Sequence, residues 1–195
     1  MKKLLIAILL ALTTIACNAC GPEPEPEVEL MPWEEIGWTC SNQEGEHPCD
    51  FTLKDQYGTD VSLYDFYGQP VILDLSAMWC GPCSAASTEV EEVVTERAGD
   101  NLAYIVVLID DTNGQPPTID DCSSWADFHG ITTQPVLAGS RDLISSDPDE
   151  GWPLSGWPTF AFIDDEMNVY YIQKGFSADT INAILDMMLN SEEEK

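Results

Sequence analysis

Positive charge is what this chain has least of: 7 Lys+Arg stand against 35 Asp+Glu, a formal net charge of -28 over 195 residues. Removing Lys2 and Lys3 with an export signal makes it more negative still. Such a surface repels phosphate backbones, so no nucleic acid is expected as a partner. Histidine is scarce too. Only His47 and His129 accompany the pair Cys80 and Cys83, and the one other C-x-x-C, Cys17-Asn18-Ala19-Cys20, stands at the end of the export signal rather than in the domain. A zinc site needs four ligands, usually two such pairs or added histidines. The acidic stretches Asp110-Asp111 and Asp147 to Glu150 lack the EF-hand spacing with its distal glutamate, so they read as solvated surface. No metal and no cofactor are expected. The apolar run Leu4 to Leu12 is too short to span a bilayer, and no internal repeat is evident.

What is there falls into five segments. Met1-Lys2-Lys3 followed by Leu4 to Leu12 has the basic start and apolar middle of an export signal, placed at residues 1–16. Thr14-Ile15-Ala16-Cys17 resembles a bacterial lipobox, with Thr14 where Leu is more usual. Cys17 is then the lipidated first residue of the mature chain, and Cys20 is the rival site with a poorer fit. Asn18 in place of aspartate leans toward the outer membrane, facing the periplasm. Residues 17–32 alternate proline with glutamate, which favours an extended, solvated tether. Residues 33–50 form an irregular leader holding Cys40 and Cys49. Residues 51–190 are one domain, about 140 residues and large enough for its own core, followed by an acidic tail at 191–195. Membrane attachment is expected through the lipid only, and the protein as a monomer.

Within the domain, the chain is organised around Ser76-Ala77-Met78-Trp79-Cys80-Gly81-Pro82-Cys83. The apolar run Val71 to Leu75 before it reads as a buried strand. After Cys83, Ala85, Ala86, Val90, Val93 and Val94 recur at helical spacing, and the helix is expected to end near Gly99. Two cysteines therefore stand where a strand hands over to a first helical turn, whose free N–H groups and dipole favour a thiolate. Cys80 is the candidate nucleophile, and Cys83, one turn on, the resolving thiol. Pro82 lacks an N–H and presets φ for a helix start. Asp74 lies in the apolar strand, where desolvation raises a carboxyl pKa and lets it trade a proton with Cys83.

Around this centre the pattern predicts a hairpin from Phe51–Leu53 and Val61–Leu63. A central parallel strand is expected at Leu102–Ile109, and a helix at about Asp121–His129 with Trp125 and Phe128 on its apolar side. His129 reads as a favourable charge at that helix's C-terminus. A short strand follows near Gln134–Ala138. A closing hairpin joins Thr159–Asp164 to Val169–Gln173, and the last helix spans about Ala178–Leu189. Met187 and Met188 read as packing residues.

Trp79-Cys80-Gly81-Pro82-Cys83, Asp74 six positions earlier and Gly156-Trp157-Pro158-Thr159 before an apolar strand resemble the thioredoxin superfamily. Within it they are similar to the membrane-tethered extracytoplasmic thiol-disulfide oxidoreductases of the TlpA/ResA type, over about Phe51–Leu189. The resemblance implies an α/β thioredoxin-like three-layer fold: a central mixed sheet, an N-terminal β-hairpin extension and helices on both faces. It implies that Pro158 is cis and faces Cys80, that Trp79, Trp157 and Thr159 border the substrate groove, and that Gly81 and Pro82 tune the pair. It implies substrates that are protein thiols or disulfides, a membrane electron donor or acceptor, and, from the Gly-Pro pair, a reductase. One departure stands out: thioredoxin pairs its buried aspartate with a lysine on the central strand, and Leu102–Ile109 contains none.

Seven cysteines are an odd set, and lipidating Cys17 leaves six. In an oxidising compartment Cys40 and Cys49 are expected to form a structural disulfide; Cys49 with Cys122 is the alternative, and sequence alone does not fix the pairing. Two other functions compete: a non-catalytic binding module with a static Cys80–Cys83 bond, and a copper-handling protein like the Sco family, which has three residues between its cysteines. A thiol peroxidase usually carries Thr three residues before its cysteine, where this chain has Ala77.

Overall fold

The computed structural model describes residues 38–193. The signal, Cys17, Cys20 and the tether lie outside the described residues. Seven strands form one sheet: β1 (Thr52–Lys54), β2 (Asp60–Ser62), β3 (Val71–Ala77), β4 (Ala103–Asp110), β5 (Val136–Ala138), β6 (Thr159–Ile163) and β7 (Val169–Lys174). Their order is β2-β1-β5-β4-β3-β6-β7. The central strands β3, β4 and β5 run parallel, and the flanking pairs are antiparallel. Every residue of β3 and β4 is buried, as continuous apolar runs covered on both faces must be.

Alternation divides the core in two. Ile72, Tyr104, Val106, Val136, Phe160 and Phe162 face the helices α1 (Gly81–Ser87), α2 (Val90–Glu96), α3 (Ile119–His129) and α4 (Ala178–Glu193). Leu73, Leu75, Ile105, Val107, Leu137 and Ala161 face the other way. That second face is covered by a 3-10 turn at Leu63–Phe66, by Trp152 and by the leader. Helices thus lie on both faces, the four α-helices on one and the 3-10 turns at Leu63–Phe66 and Arg141–Leu143 on the other. The parallel connections β3 to β4 and β4 to β5 step the same way across the sheet, so right-handed crossovers put both helices on the same side.

Three local details depart from the sequence pattern. The helix after Cys83 is not continuous but breaks at Thr88–Glu89. There the Thr88 hydroxyl donates to the Ala85 carbonyl at 2.6 Å, and Glu89 N–H bonds Ala86 O three residues back rather than four. Helix α3 starts two residues early because Thr118 and Asp121 form a reciprocal capping box. Phe128 does not share the apolar side of α3 with Trp125. It is 79% exposed, while Cys122, Trp125, Ala126 and His129 make the buried stripe.

The leader closes the β7 edge of the sheet. Gly45 N–H donates to Val169 O at 2.8 Å, Val169 N–H to Glu46 O at 2.9 Å, and Ile172 N–H to the Glu44 carboxylate at 2.9 Å. The start of that edge is therefore not free to pair with another chain. Cys40 and Cys49 are joined by a disulfide, and Trp38 stacks on His47 with ring centroids 3.4 Å apart. Cys122 is free and buried, so it does not pair with Cys49. Replacing Cys40 and Cys49 together by Ser is expected to cost about 2.6 kcal/mol, the loop-entropy value for a short closed loop. Denaturant titration measures the loss, and faster hydrogen exchange at the Val169 amide should accompany it.

Candidate active site

Strand β3 ends at Ala77, and the next turn delivers Cys80 to the N-cap of α1. Its φ of -92° and ψ of 113° are extended, and its Sγ accepts the Cys83 N–H at 3.1 Å. The Pro82 ring occupies the first turn, where no N–H is needed. Cys80 is 5% exposed and Cys83 is fully buried; the two are joined as a disulfide with Cα atoms 5.2 Å apart. Ala77 packs beneath them, and Trp157 leans on the same cluster.

The Trp157–Pro158 peptide is cis. Its loop is tied from both sides: Gly175 N–H donates to Pro158 O at 2.8 Å, and the Thr159 hydroxyl donates to Gly156 O at 2.8 Å. Thr159 is buried, so its side chain shapes the loop from within. A Cβ on Gly156 would meet only the end of the flexible Lys174 side chain, which lies along this loop.

Asp74 and Ser76 point to the helical face of β3. Asp74 is fully buried, and the Ser76 hydroxyl donates to its Oδ1 at 2.6 Å, while Oδ2 has no hydrogen-bond partner. Burial pushes the Asp74 carboxyl up to about 7, against a lesser pull downward from Ser76 and Tyr104. Tyr104, on the neighbouring strand, is itself raised well above the usual phenol range by burial and by Asp74. Among the described residues no lysine serves Asp74; a serine and a tyrosine occupy its surroundings instead.

Trp79 is 48% exposed and meets Trp157 edge to face, with centroids 5.7 Å apart. Its indole N–H donates to Asp110 Oδ2 at 3.2 Å. Asp110 ends β4 and also accepts two donors of Arg141, Nε on Oδ1 at 2.9 Å and Nη2 on Oδ2. The Arg141 fork, above all, holds the Asp110 carboxyl below its usual range. Neither residue stands out in the sequence. Asp110 looks like the start of an acidic loop, and nothing local announces an arginine 31 positions on as its partner.

His129 lies buried in the last turn of α3, its Nε2 3.4 Å from the Ser84 hydroxyl and its Nδ1 without a partner. Burial lowers its pKa, so it packs as a neutral ring rather than as a charge on the helix dipole. Burial pushes the Cys122 thiol up to about 12, which leaves it inert. Among the described residues no three His, Cys, Asp or Glu side chains are placed to hold a metal ion. The Cys40–Cys49 bridge belongs to the leader; Cys17 lies outside the described residues.

Comparison with known proteins follows the same line. The sequence profile of the AhpC/TSA family matches residues 45–172. The chain is 29% identical over 133 residues to the thioredoxin-like protein YneN of Bacillus subtilis, covering 68% of this chain and 72% of that one. A thiol:disulfide interchange protein of the thioredoxin family from Chlorobium tepidum superposes with a TM-score of 0.59 at 20% identity, covering 73% of this chain and 95% of that one, a likeness of fold alone. The exposed lipoprotein thioredoxin of Streptococcus pneumoniae gives 0.55 at 26% identity, with 71% and 99% covered.

The Asp74 carboxyl makes stability depend on pH. Its folded pKa, about 7, lies above the ordinary value of 3.8, so between these the unfolded chain has released a proton that the native state still holds. Stability therefore falls as pH rises from about 4 to about 7 and loses nothing further above that. At about 1.4 kcal/mol per pH unit, the whole effect is on the order of 4 kcal/mol. Asp74→Asn removes this slope. The variant is expected to melt higher than wild type at pH 8 by several degrees, with the gap closing at pH 4; calorimetry at the two pH values measures it.

Proposed function

This chain belongs to the AhpC/TSA family, and from that membership we propose that it works as a thiol-disulfide oxidoreductase on protein disulfides, exported and held at the cell envelope. The observation that carries the reading is the Cys80 sulfur at the N-cap of α1, taking the Cys83 N–H. The same backbone donation that reaches Sγ here stabilises a thiolate once the pair is reduced.

The reaction runs in two displacements. The Cys80 thiolate attacks one sulfur of a substrate disulfide, that bond breaks, and the departing substrate thiolate takes a proton. Cys83 then loses its proton to Asp74, attacks the Cys80 sulfur and releases the second substrate thiolate. The substrate gains two electrons and the protein ends with the Cys80–Cys83 bond. A carboxyl poised near 7 suits the proton transfer, because it is available in both states at neutral pH. Trp79 and Trp157 form the apolar rim on which a substrate chain rests, beside the Gly156–Pro158 backbone.

The Gly81-Pro82 pair, shared with thioredoxin at about −270 mV, favours the reducing direction. A reductase outside the cytoplasm must itself be re-reduced, which calls for a membrane dithiol donor. Anchoring through lipidated Cys17, with the Pro/Glu tether holding a monomeric domain away from an outer membrane, is supported by the lipobox-like Thr14–Cys17. The likeness to a lipoprotein thioredoxin points the same way. Among the described residues no helix is long and apolar enough to cross a membrane.

The reduced wild-type protein is expected to accelerate insulin reduction by dithiothreitol, and Cys80→Ser to lose that activity. In Cys83→Ala the substrate should stay covalently bound to Cys80 and be recovered as a mixed disulfide by mass. Absence of both the activity and the adduct rejects the reading.

A further inference from the structure

Between β5 and β6 the chain makes a long excursion, residues 139–158, which opens with a 3-10 turn at Arg141–Leu143. The turn starts hard against the sheet: a Cβ on Gly139 would lie 2.7 Å from Val107 Cγ1 and 2.9 Å from the Leu108 carbonyl oxygen. Ser140 caps it, its hydroxyl accepting the Asp142 N–H at 3.1 Å. This docking brings the guanidinium of Arg141 onto Asp110.

The pair is lopsided. The Asp110 side chain is 1% exposed and the Arg141 side chain 67% exposed. Asp110 is also the β4 residue in closest touch with the redox motif. It is paired in register with Ala77, its carbonyl accepts the Met78 N–H at 3.0 Å, and its carboxylate accepts the Trp79 indole. A buried carboxylate without a cation is costly, and a nearby negative charge opposes ionisation of a thiol. The other cations of the described residues are not paired with Asp110: Lys54 pairs with Asp60, Arg97 with Asp186, and Lys174 lies along Gly156 on the cis-proline side of the site.

We propose that Arg141 is a positioning residue for the redox pair: its fork on Asp110 fixes the Trp79 indole beside Cys80 and cancels a carboxylate charge that would otherwise oppose the Cys80 thiolate. This rests on Cys80 being the nucleophile of an oxidoreductase. The fork matters because a planar guanidinium meets both carboxylate oxygens at once, whereas an ammonium meets them as a point charge. The remaining ionisable groups on the elements packed against the motif are Asp74 on β3, Tyr104 on β4, Asp111 after β4, His129 and Cys122 on α3, and Lys174 on β7, which lies along Gly156 in the cis-proline loop. Arg141 is the cation among them that pairs with a buried carboxylate.

The test uses the reduced full chain and the rate of alkylation of Cys80 against pH, with the labelled residue identified by mass. Arg141→Gln should raise the midpoint by about half a unit to one unit, slowing alkylation about 3- to 10-fold below it. The indole N–H resonance of Trp79 should move toward that of an exposed indole and exchange faster with solvent. Arg141→Gln with Asp110→Asn should bring the midpoint back, since no stranded charge remains, which a merely structural role for Arg141 would not do. Arg141→Lys, which keeps the charge without the fork, should leave the midpoint near wild type while the indole signal still moves. It also carries the test if the Gln variant does not fold. An unchanged midpoint in Arg141→Gln, or no return in the double variant, overturns the role given to Arg141. A wild-type protein with no acidic thiol sinks the oxidoreductase reading itself, a result distinct from either.

Discussion

The chemistry proposed for this protein depends on one N–H bond: the backbone of Cys83 donating to the sulfur of Cys80 across the first turn of α1. It exists because β3 is a fully buried strand that stops at Ala77, and because the chain then turns into a helix with a cysteine at the cap. Helix caps are usually oxygen side chains that satisfy a free N–H. A sulfur in that place receives the same donation, and donation to the charged form lowers its pKa. Six residues earlier on the same strand, Asp74 is subject to the opposite force. Burial without a cation raises its pKa to about 7. On the proposed reaction, β3 and the cap that follows it thus bring together a thiol favoured as thiolate and an acid favoured as carboxyl, the pairing from which acid and base roles are assigned at neutral pH.

The overall charge of -28 does not decide this balance. Surface carboxylates act through solvent, and at physiological salt their influence is largely screened beyond about 8 Å. What counts is the handful of charges that water does not screen. Asp74, raised to about 7, is only partly ionised at neutral pH, and Asp110 is paired with Arg141. The two buried acids flanking the motif therefore each carry less than a full uncompensated charge, one by partial protonation and one by pairing. On the proposed reaction, that is what lets an acidic chain keep a thiolate.

Much of the fold was legible because its signals are local and strong. The runs at Val71–Leu75 and Leu102–Ile109 could only be buried strands, and the C-G-P-C spacing put two thiols at a helix start. The break at Thr88–Glu89 was not legible, since a single threonine reaching back to Ala85 outweighs a good helical pattern. Phe128 was misplaced for a related reason. An amphipathic stripe read over nine residues tolerates a shift of one turn, and the true stripe passes through Cys122, Trp125, Ala126 and His129. Asp110 and Arg141 were invisible because their contact spans 31 positions and depends on where a 3-10 turn docks. For the same reason the surroundings of Asp74 could be read only as lacking a lysine, and not as containing Ser76 and Tyr104.

The irregular segments follow from the sheet itself. With both parallel crossovers on one side, the face bearing Leu73, Leu75, Ile105 and Val107 has no α-helix to cover it, yet its strands are as apolar as the others. A two-sided buried sheet needs a second cover, and here the leader, the Leu63–Phe66 turn and the 139–158 excursion supply it. They are tied together as one layer: Asn42 N–H donates to Pro148 O at 2.8 Å, and Trp152, 2% exposed, is buried between excursion and sheet. Long loops without regular structure are uncommon in compact domains unless they do something. This one completes a core, and because it must lie flat against β4 to do so, it is also the segment that can bring a cation to the end of that strand, where Asp110 meets Trp79.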